Sequence, residues 1–548
     1  MGAAETGPGR EGSGDPRPTA DSGWSPLARP IFRALWIANV ASMVGTWMHD
    51  VGAGWLMTSL APDPFMVSLV QAATTLPVFL LALPSGALAD IFDRRRLLLI
   101  THVWSSATAA ALGFLTIFGV TSAGGLLALT FVLGLALALT APAWLAVISE
   151  LVPPPEVPAA VTLNGVALNV SRAVGPALGG LVIAAAGTGW VFLLNGASYL
   201  GVIAVLLRWK RPKVESTLPA ERLVGAVRAG VRYVRHAPAL RAVLLRAAGF
   251  IVPASAFWAL LPLLARAELG RGPGGYGGLV ATVGLGAVVG GAVLPGLRWH
   301  DRSGWLVPAA WSHFGPAILT VAHGRASLPV ATALGLAGVA WISLLSSLNA
   351  SAQVAVPAWV RGRALAVYLL VFFGGMAVGS AFWGNVARVT SIPAALDVAG
   401  AALVAGGLVA VRFRLPTLRE DLTPSMHWRQ TQQIPEALLE RGPVVVSVEY
   451  RIDPASLADF TAAMGDLRRI RLRDGAIRWE LYSDPEGEGT YLETFVVESW
   501  LEHLRQHERV TVADKSIQER CSRFHVGERP QRVTHFLAEP VPHRRARR

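Results

Sequence analysis

The chain is short of charge and nearly without cysteine. Of 548 residues only 15% are Asp, Glu, Lys or Arg, against roughly 25% in an ordinary soluble domain. That shortage excludes a disordered protein, a coiled coil and a normal soluble enzyme. The single cysteine, Cys521, excludes an intramolecular disulfide framework and any cysteine-based metal cluster. A G-x-x-x-x-G-K-[ST] loop, an HExxH helix and a haem-attachment motif are all missing from the sequence. Their absence removes ATP hydrolysis and the common metallo- and haem-enzyme classes, and no cofactor, metal or catalytic residue is expected. What the chain has instead is apolar surface: 53% of residues are hydrophobic and the mean hydropathy is +0.46. Its formal charge of +12 fits either a nucleic-acid binder or the Lys/Arg bias of membrane loops. The hydropathy favours the lipid bilayer, so no nucleic-acid partner is expected.

Residues 1–28 are rich in Gly, Pro, Ser and charge. They lack the basic-then-apolar order of a signal peptide and read as a disordered cytoplasmic tail. A bilayer-crossing helix needs about 20 mostly apolar residues. Such stretches recur at 31–60, 65–89, 97–119, 124–149, 159–187, 189–208, 241–265, 275–297, 304–322, 327–352, 363–389 and 393–411. The first is longer than a bilayer needs, so its start is expected along the membrane surface. The expected class is therefore an all-α polytopic membrane protein of twelve transmembrane helices. They divide into an N-terminal half (29–208), a basic central loop (209–240) and a C-terminal half (241–415). Arginines gather on the even-to-odd connections: Arg94–Arg96, nine Lys and Arg residues between 208 and 241, Arg302, Arg361 and Arg363. Positive-inside logic then places both termini in the cytoplasm of a cell-membrane protein. Pro153, Ala160, Gly175 and Gly180 recur 204 residues later as Pro357, Ala364, Gly379 and Gly384. This internal match predicts two parallel six-helix repeats, an arrangement that puts a substrate site near the midplane between them.

Past Pro416 the hydropathy collapses. A polar linker (416–441) leads to a soluble α+β domain (442–540) and a basic tail (541–548). Strands are predicted at 443–451, 476–482, 491–499 and 532–538, with helices over 453–473 and 500–524. The order βαββαβ is the ferredoxin-like pattern. His503 and His507 are one helical turn apart, a spacing that permits a shared metal, but Arg505, Gln506, Glu508 and Arg509 around them read as a solvated helix face.

Charged and polar residues inside the apolar runs carry the functional signal. An Asp at mid-membrane costs roughly 2.5–3.5 kcal/mol on insertion scales, so it usually faces a cavity and serves a function. Asn39, Ser42, Thr46 and Asp50 share one face of the first span, with His49 at its edge. Asp50, with His49, is the candidate for carrying a coupling proton. The competing reading leaves both merely solvated near the outer face. Arg172 on span five either pairs with Glu150, attracts an anionic substrate or snorkels to the surface. Gln71 and Asn164 are further candidates for lining a cavity. Thr74, Thr75, Ser343, Ser346, Ser347, Asn349, Tyr368 and Asn385 are weaker ones, because Ser and Thr in membrane helices commonly bond to backbone. Trp55, Trp258 and Trp383 suit either a flat substrate or anchoring.

Two motifs carry a resemblance. Gly86-Ala-Leu-Ala-Asp90-Ile-Phe-Asp-Arg94-Arg95-Arg96 resembles the loop signature of the major facilitator superfamily, with Ile91 and Asp93 where Arg and Gly are usual. Gly175-Pro176-Ala-Leu-Gly179-Gly180 resembles the span-five signature of its antiporters, with Ser171 where a leading Gly is usual. The whole chain looks like the exporter branch that includes enterobactin-exporter-like proteins and the transmembrane secretion effectors. The soluble domain resembles the dimeric fold of small antibiotic-biosynthesis monooxygenases. The resemblance implies a secondary transporter working by alternating access. Small amphipathic molecules of drug or siderophore type are its implied substrates and protons its coupling ion. Gly86, Asp90, Arg94 and Arg95 are then the gating loop. A homodimer through the soluble domain stays open. So do two alternatives: a non-transporting accessory or sensor protein, and a membrane-anchored monooxygenase-like enzyme.

Overall fold

The structure is a computed structural model that describes residues 23–209, 230, 232–298, 303–324, 326–412, 421–425 and 438–539. Most of the expected tail (1–28), central loop and linker, and all of the basic end, lie outside these residues.

Twelve long helices run through the described residues: α1 (Pro30–Leu60), α2 (Pro64–Ile91), α3 (Arg94–Ile117), α4 (Ala123–Leu151), α5 (Val157–Ala186), α6 (Thr188–Arg208), α7 (Pro238–Leu263), α8 (Pro273–Arg298), α9 (Ser303–His323), α10 (Ser327–Val354), α11 (Arg361–Val389) and α12 (Ile392–Arg412). Ten are long and apolar enough to cross a bilayer. The other two, α1 and α9, pack into the same bundle, and α1 is the helix with the polar stripe. It is one unbroken helix of 31 residues. Between α5 and α6 a single residue remains, Gly187, at φ +92°. Only glycine takes that conformation without strain, which is why the hairpin turns there.

The two halves repeat each other helix for helix. In the first, α1 packs on α5 and α6, α2 on α4, and α3 on α4 and α6. In the second, α7 packs on α11 and α12, α8 on α10, and α9 on α10 and α12. The repeat holds at single residues. A Cβ on Gly175 would press on Val44 and Trp47 of α1, and one on its counterpart Gly379 on Val252 and Ser255 of α7. Gly180 lies against α8 at Pro273 and Gly277, while Gly384 lies against α2 at Phe65 and Ser68. Both α5 and α11 are preceded by a short 3-10 turn. The halves join along α2–α11 and α5–α8.

The soluble domain carries β1 (Val444–Arg451), α13 (Leu457–Asp474), β2 (Ala476–Ser483), β3 (Thr490–Val497), α14 (Trp500–Arg509), α15 (Val512–Arg523) and β4 (Val533–Leu537). Its antiparallel sheet has the order β2-β3-β1-β4, as the ferredoxin-like pattern requires. Phe460, Ala463, Met464 and Leu467 give α13 its buried face. The single helix expected over 500–524 is two. Thr511 accepts from the Asp514 backbone N–H, and Asp514 accepts from that of Thr511. This capping box starts a new helix. Residues 421–425, inside the expected linker, already hydrogen-bond to residues 510–513.

Candidate functional site

The polar stripe of α1 is the first element of the site. Thr46 donates to the Ser42 carbonyl at 3.0 Å and its hydroxyl lies 3.3 Å from that of Tyr199 on α6. Asn39 is buried, its amide 3.5 Å from the Met43 sulfur. His49 is buried against Phe192 of α6, ring centres 4.6 Å apart, and neither ring nitrogen has a hydrogen-bond partner. Asp50 is only half-buried. No hydrogen bond or ion pair to its carboxylate is found among the described residues.

Arg172 of α5 lies with its guanidinium 5.3 Å from the centre of the Trp47 ring. Its Nε and Nη1 are buried without partners. The pairing with Glu150 considered from sequence does not form, because Glu150 is taken by Arg94, 2.8 Å away. Around Arg172 the two halves come backbone to backbone. A Cβ on Gly284 of α8 would collide with the Arg172 carbonyl, and one on Gly277 with that of Pro176. Gly179 meets Met48 of α1 and Gly180 meets Pro273 and Gly277. The span-five glycines are thus packing surface, towards α1 on one side and α8 on the other.

The α2–α3 corner ties its own half together. Arg94 pairs with Glu150 at the end of α4. Arg95 donates to the carbonyls of Leu206 and Leu207 at 2.7 and 2.9 Å, so a fixed cation sits on the negative end of the α6 dipole. Gly86 has nothing within reach of a Cβ, and the side chain of Asp90 lies outside the described residues. Arg29 adds a two-pronged pair with Glu156, 2.9 and 3.0 Å.

The other candidates make contacts within the bundle. Asn164 accepts from the Trp144 indole at 3.0 Å beside a crevice of about 10 Å3, room for one water at most. Thr74, Thr75 and Ser343 donate to backbone carbonyls one turn back. Asn349 accepts from Gln353 and Asn385 from Arg388. Trp383 donates to the Val252 carbonyl. Trp258 packs edge-on to Phe257 and Trp341 inside the second half. Gln71 is half-buried and its carbonyl accepts from Thr75.

Sequence reasoning missed a cluster at the face opposite the soluble domain. A short π-helical turn (Leu264–Glu268) ends α7. Its Arg266 donates to Thr58 at 2.9 Å and to Ser59, and lies over Trp55 of α1. Trp55 stacks on Tyr276 of α8, ring centres 6.0 Å apart. Beside them Arg388 of α11 lies over Phe65 of α2. Every one of these contacts crosses between the halves. In the sequence Arg266 reads only as an exception to the loop-charge bias, since no spacing links it to residues some 200 positions away.

In the soluble domain Glu493 is fully buried and accepts from Tyr450, Arg471 and Trp479 at 3.0–3.1 Å. His503 packs against His507 and His535 at 4.5 and 4.8 Å between ring centres. Burial, with the neighbouring imidazoles and Arg471, pushes its pKa down to about 3. Among the described residues no group of three or more His, Cys, Asp or Glu is arranged to hold a metal ion.

Comparison with known proteins places this architecture. The family described as transmembrane secretion effector matches residues 21–543. An uncharacterized MFS-type transporter, YfiS of Bacillus subtilis, is 23% identical over 408 residues, covering 70% of this chain and 95% of that protein. The enterobactin exporter EntS of Salmonella typhimurium is 26% identical over 392 residues, 69% of this chain and 91% of that one. Among solved structures, a bacterial homologue of the lysosomal transporter Spinster is 14% identical with a TM-score of 0.54, covering 70% of this chain and 95% of its own. The nucleoside transporter NupG is 12% identical with a TM-score of 0.53, covering 70% of this chain and 98% of its own.

Proposed function

The chain belongs to the transmembrane secretion effector family of major facilitator transporters, and from that premise we propose that it is a proton-coupled exporter of small amphipathic molecules. Membership makes it an integral multi-pass membrane protein and a transporter rather than an enzyme. The substrate class follows the relatives, one of which is named for exporting enterobactin. The loop-charge bias supports cytoplasmic termini.

The observation that carries the coupling is Asp50. A half-buried carboxylate on a membrane helix, with no cation beside it among the described residues, is costly when charged and much less so when protonated. It is therefore a group that binds a proton in one access state and gives it up in another. Arg172, with two buried N–H groups free, is the matching cation for an anionic substrate group. Alternating access is the natural mechanism for two packed repeats joined along α2–α11 and α5–α8.

The test is transport in proteoliposomes. With a pH gradient imposed, a panel of siderophores and amphipathic drugs is added while lumenal pH is followed. A substrate-dependent proton flux that Asp50→Asn abolishes, while substrate binding persists, is the expected result. Full proton-driven transport by Asp50→Asn sinks the coupling assignment. No proton movement across the panel turns the reading towards the accessory protein.

A further inference from the structure

The soluble domain docks on the second half of the membrane bundle, and the docking builds a cleft. Glu502 of α14 pairs with Arg232 at 3.2 Å, just before α7. Arg509 lies over Trp359 at 4.5 Å, just before α11, and Arg473 over Tyr233 at 5.6 Å. Tyr233 and Trp359 meet edge to face at 5.7 Å. Beside this contact lies a cleft of about 480 Å3 with one wall from each partner. Arg232, Arg235 and His236 form the bundle wall, and α13 with the edge strand β2 forms the other.

The cleft has a cationic rim and an apolar floor. Four arginines line it, Arg232, Arg235, Arg468 and Arg478, against two carboxylates, Glu480 and Glu498. Arg235 and Arg468 have no carboxylate partner among the described residues. The Arg478–Glu480 pair is 3.6 Å long and mostly exposed, so it competes weakly with a ligand. The buried Nε of Arg232 has no hydrogen-bond partner. Leu472, Ile477 and the Trp479 ring, with Arg468 over it at 5.9 Å, supply the floor. Guanidinium groups beside a flat indole suit a carboxylate, sulfonate or phosphate attached to an apolar body.

We propose that this cleft is a binding site for an organic anion, held by Arg235, Arg468 and Arg478 over the Trp479 floor and shared between the bundle and the soluble domain. Because the walls belong to two parts of the chain, the ligand binds only the docked arrangement and so strengthens it. The anionic group comes either from a free aromatic acid or from an acidic lipid headgroup, since Arg235 lies three residues before the membrane helix α7.

The experiment uses the full chain in phosphatidylcholine nanodiscs, titrated by calorimetry with 1-naphthoate and, separately, inorganic phosphate. The variant is Arg468→Ala with Arg478→Ala, two exposed side chains whose loss leaves the Arg232–Glu502 contact in place. The expected result is saturable naphthoate binding that the double variant weakens by about tenfold or more, the loss of charge-assisted hydrogen bonds. Repeating the titration in discs containing phosphatidylglycerol separates the sources. Undiminished naphthoate binding assigns the site to a free acid. Loss of naphthoate binding in wild type, with phosphatidylglycerol enriched around wild type but not the double variant, assigns it to a headgroup. No binding of either probe and no lipid enrichment overturns the proposal. Equal naphthoate affinity in wild type and double variant also overturns it, since the probe then sits elsewhere, the transport pathway included.

Discussion

His503 shows how one buried side chain sets a response to acid. Its folded pKa lies at about 3, below the usual 6.5, because burial and neighbouring cations disfavour its charge. Between those two values the unfolded chain binds a proton that the folded domain refuses, so stability falls as pH drops from about 6.5 towards 3. His503→Leu is expected to flatten that dependence, read as hydrogen-exchange protection of β1 and β3 across the same pH range. An unchanged slope would mean that another group dominates the acid response. The sequence places His503 on a solvated helix face, and only the fold brings His535 and Arg471 to it. Ionisable groups in hydrocarbon are more legible. Asp50 and Arg172 stand out in the sequence because a bilayer penalises them, and the structure leaves both without an ionic partner among the described residues. The partners of the other charges were not legible. Arg94 with Glu150, and Arg266 with Thr58 and Ser59, are joined by folding and not by spacing.

Element limits were legible wherever an apolar run met a polar stop. The twelve helices match their expected spans to within a few residues, because a bilayer-length apolar run has one structural solution. The internal repeat was legible too, since Gly175 with Gly379 and Gly180 with Gly384 hold equivalent helix contacts. The break at Val510–Thr511 was missed. Amphipathic residues continue across it, and the Thr511–Asp514 capping signal competes with that pattern and wins. Thr511→Ala is therefore expected to cost about 1 kcal/mol of domain stability, seen as a lower unfolding midpoint of the soluble domain. No change would show that the cap is redundant. Between the membrane helices, Gly277→Val is expected to cost about 2 kcal/mol by forcing α5 and α8 apart. The neighbouring Gly278→Val meets nothing within 4 Å and is the control. Equal thermal midpoints for the two variants would refute the close-contact account.

At the scale of the whole molecule, the described polar and aromatic bridges between the halves gather at the face opposite the soluble domain. Arg266 reaches Thr58, Ser59 and Trp55, Trp55 stacks on Tyr276, and Arg388 lies over Phe65. Among the described pairings at the other face, Arg94–Glu150, Arg95 on α6 and Arg29–Glu156 lie within the first half. Such contacts favour one arrangement of two rigid halves over another, because they exist in only that arrangement. Arg266→Ala removes two hydrogen bonds and a cation–π contact, together about 2 kcal/mol. That shifts the balance between arrangements by a factor of about 30. Spin labels at Ala61→Cys and Gly272→Cys read it directly, one on each half at this face. The lone native thiol, Cys521, is buried, and Cys521→Ser clears the background. In the otherwise native chain the distance distribution is expected to be narrow. With Arg266→Ala a longer component should appear, and substrate or a lower pH should change its weight if Asp50 is the group that couples protons to the motion. If the distribution stays narrow in the variant, Arg266 does not hold the halves together, and closure of this face rests on the glycine contacts of α5 with α8 and α11 with α2.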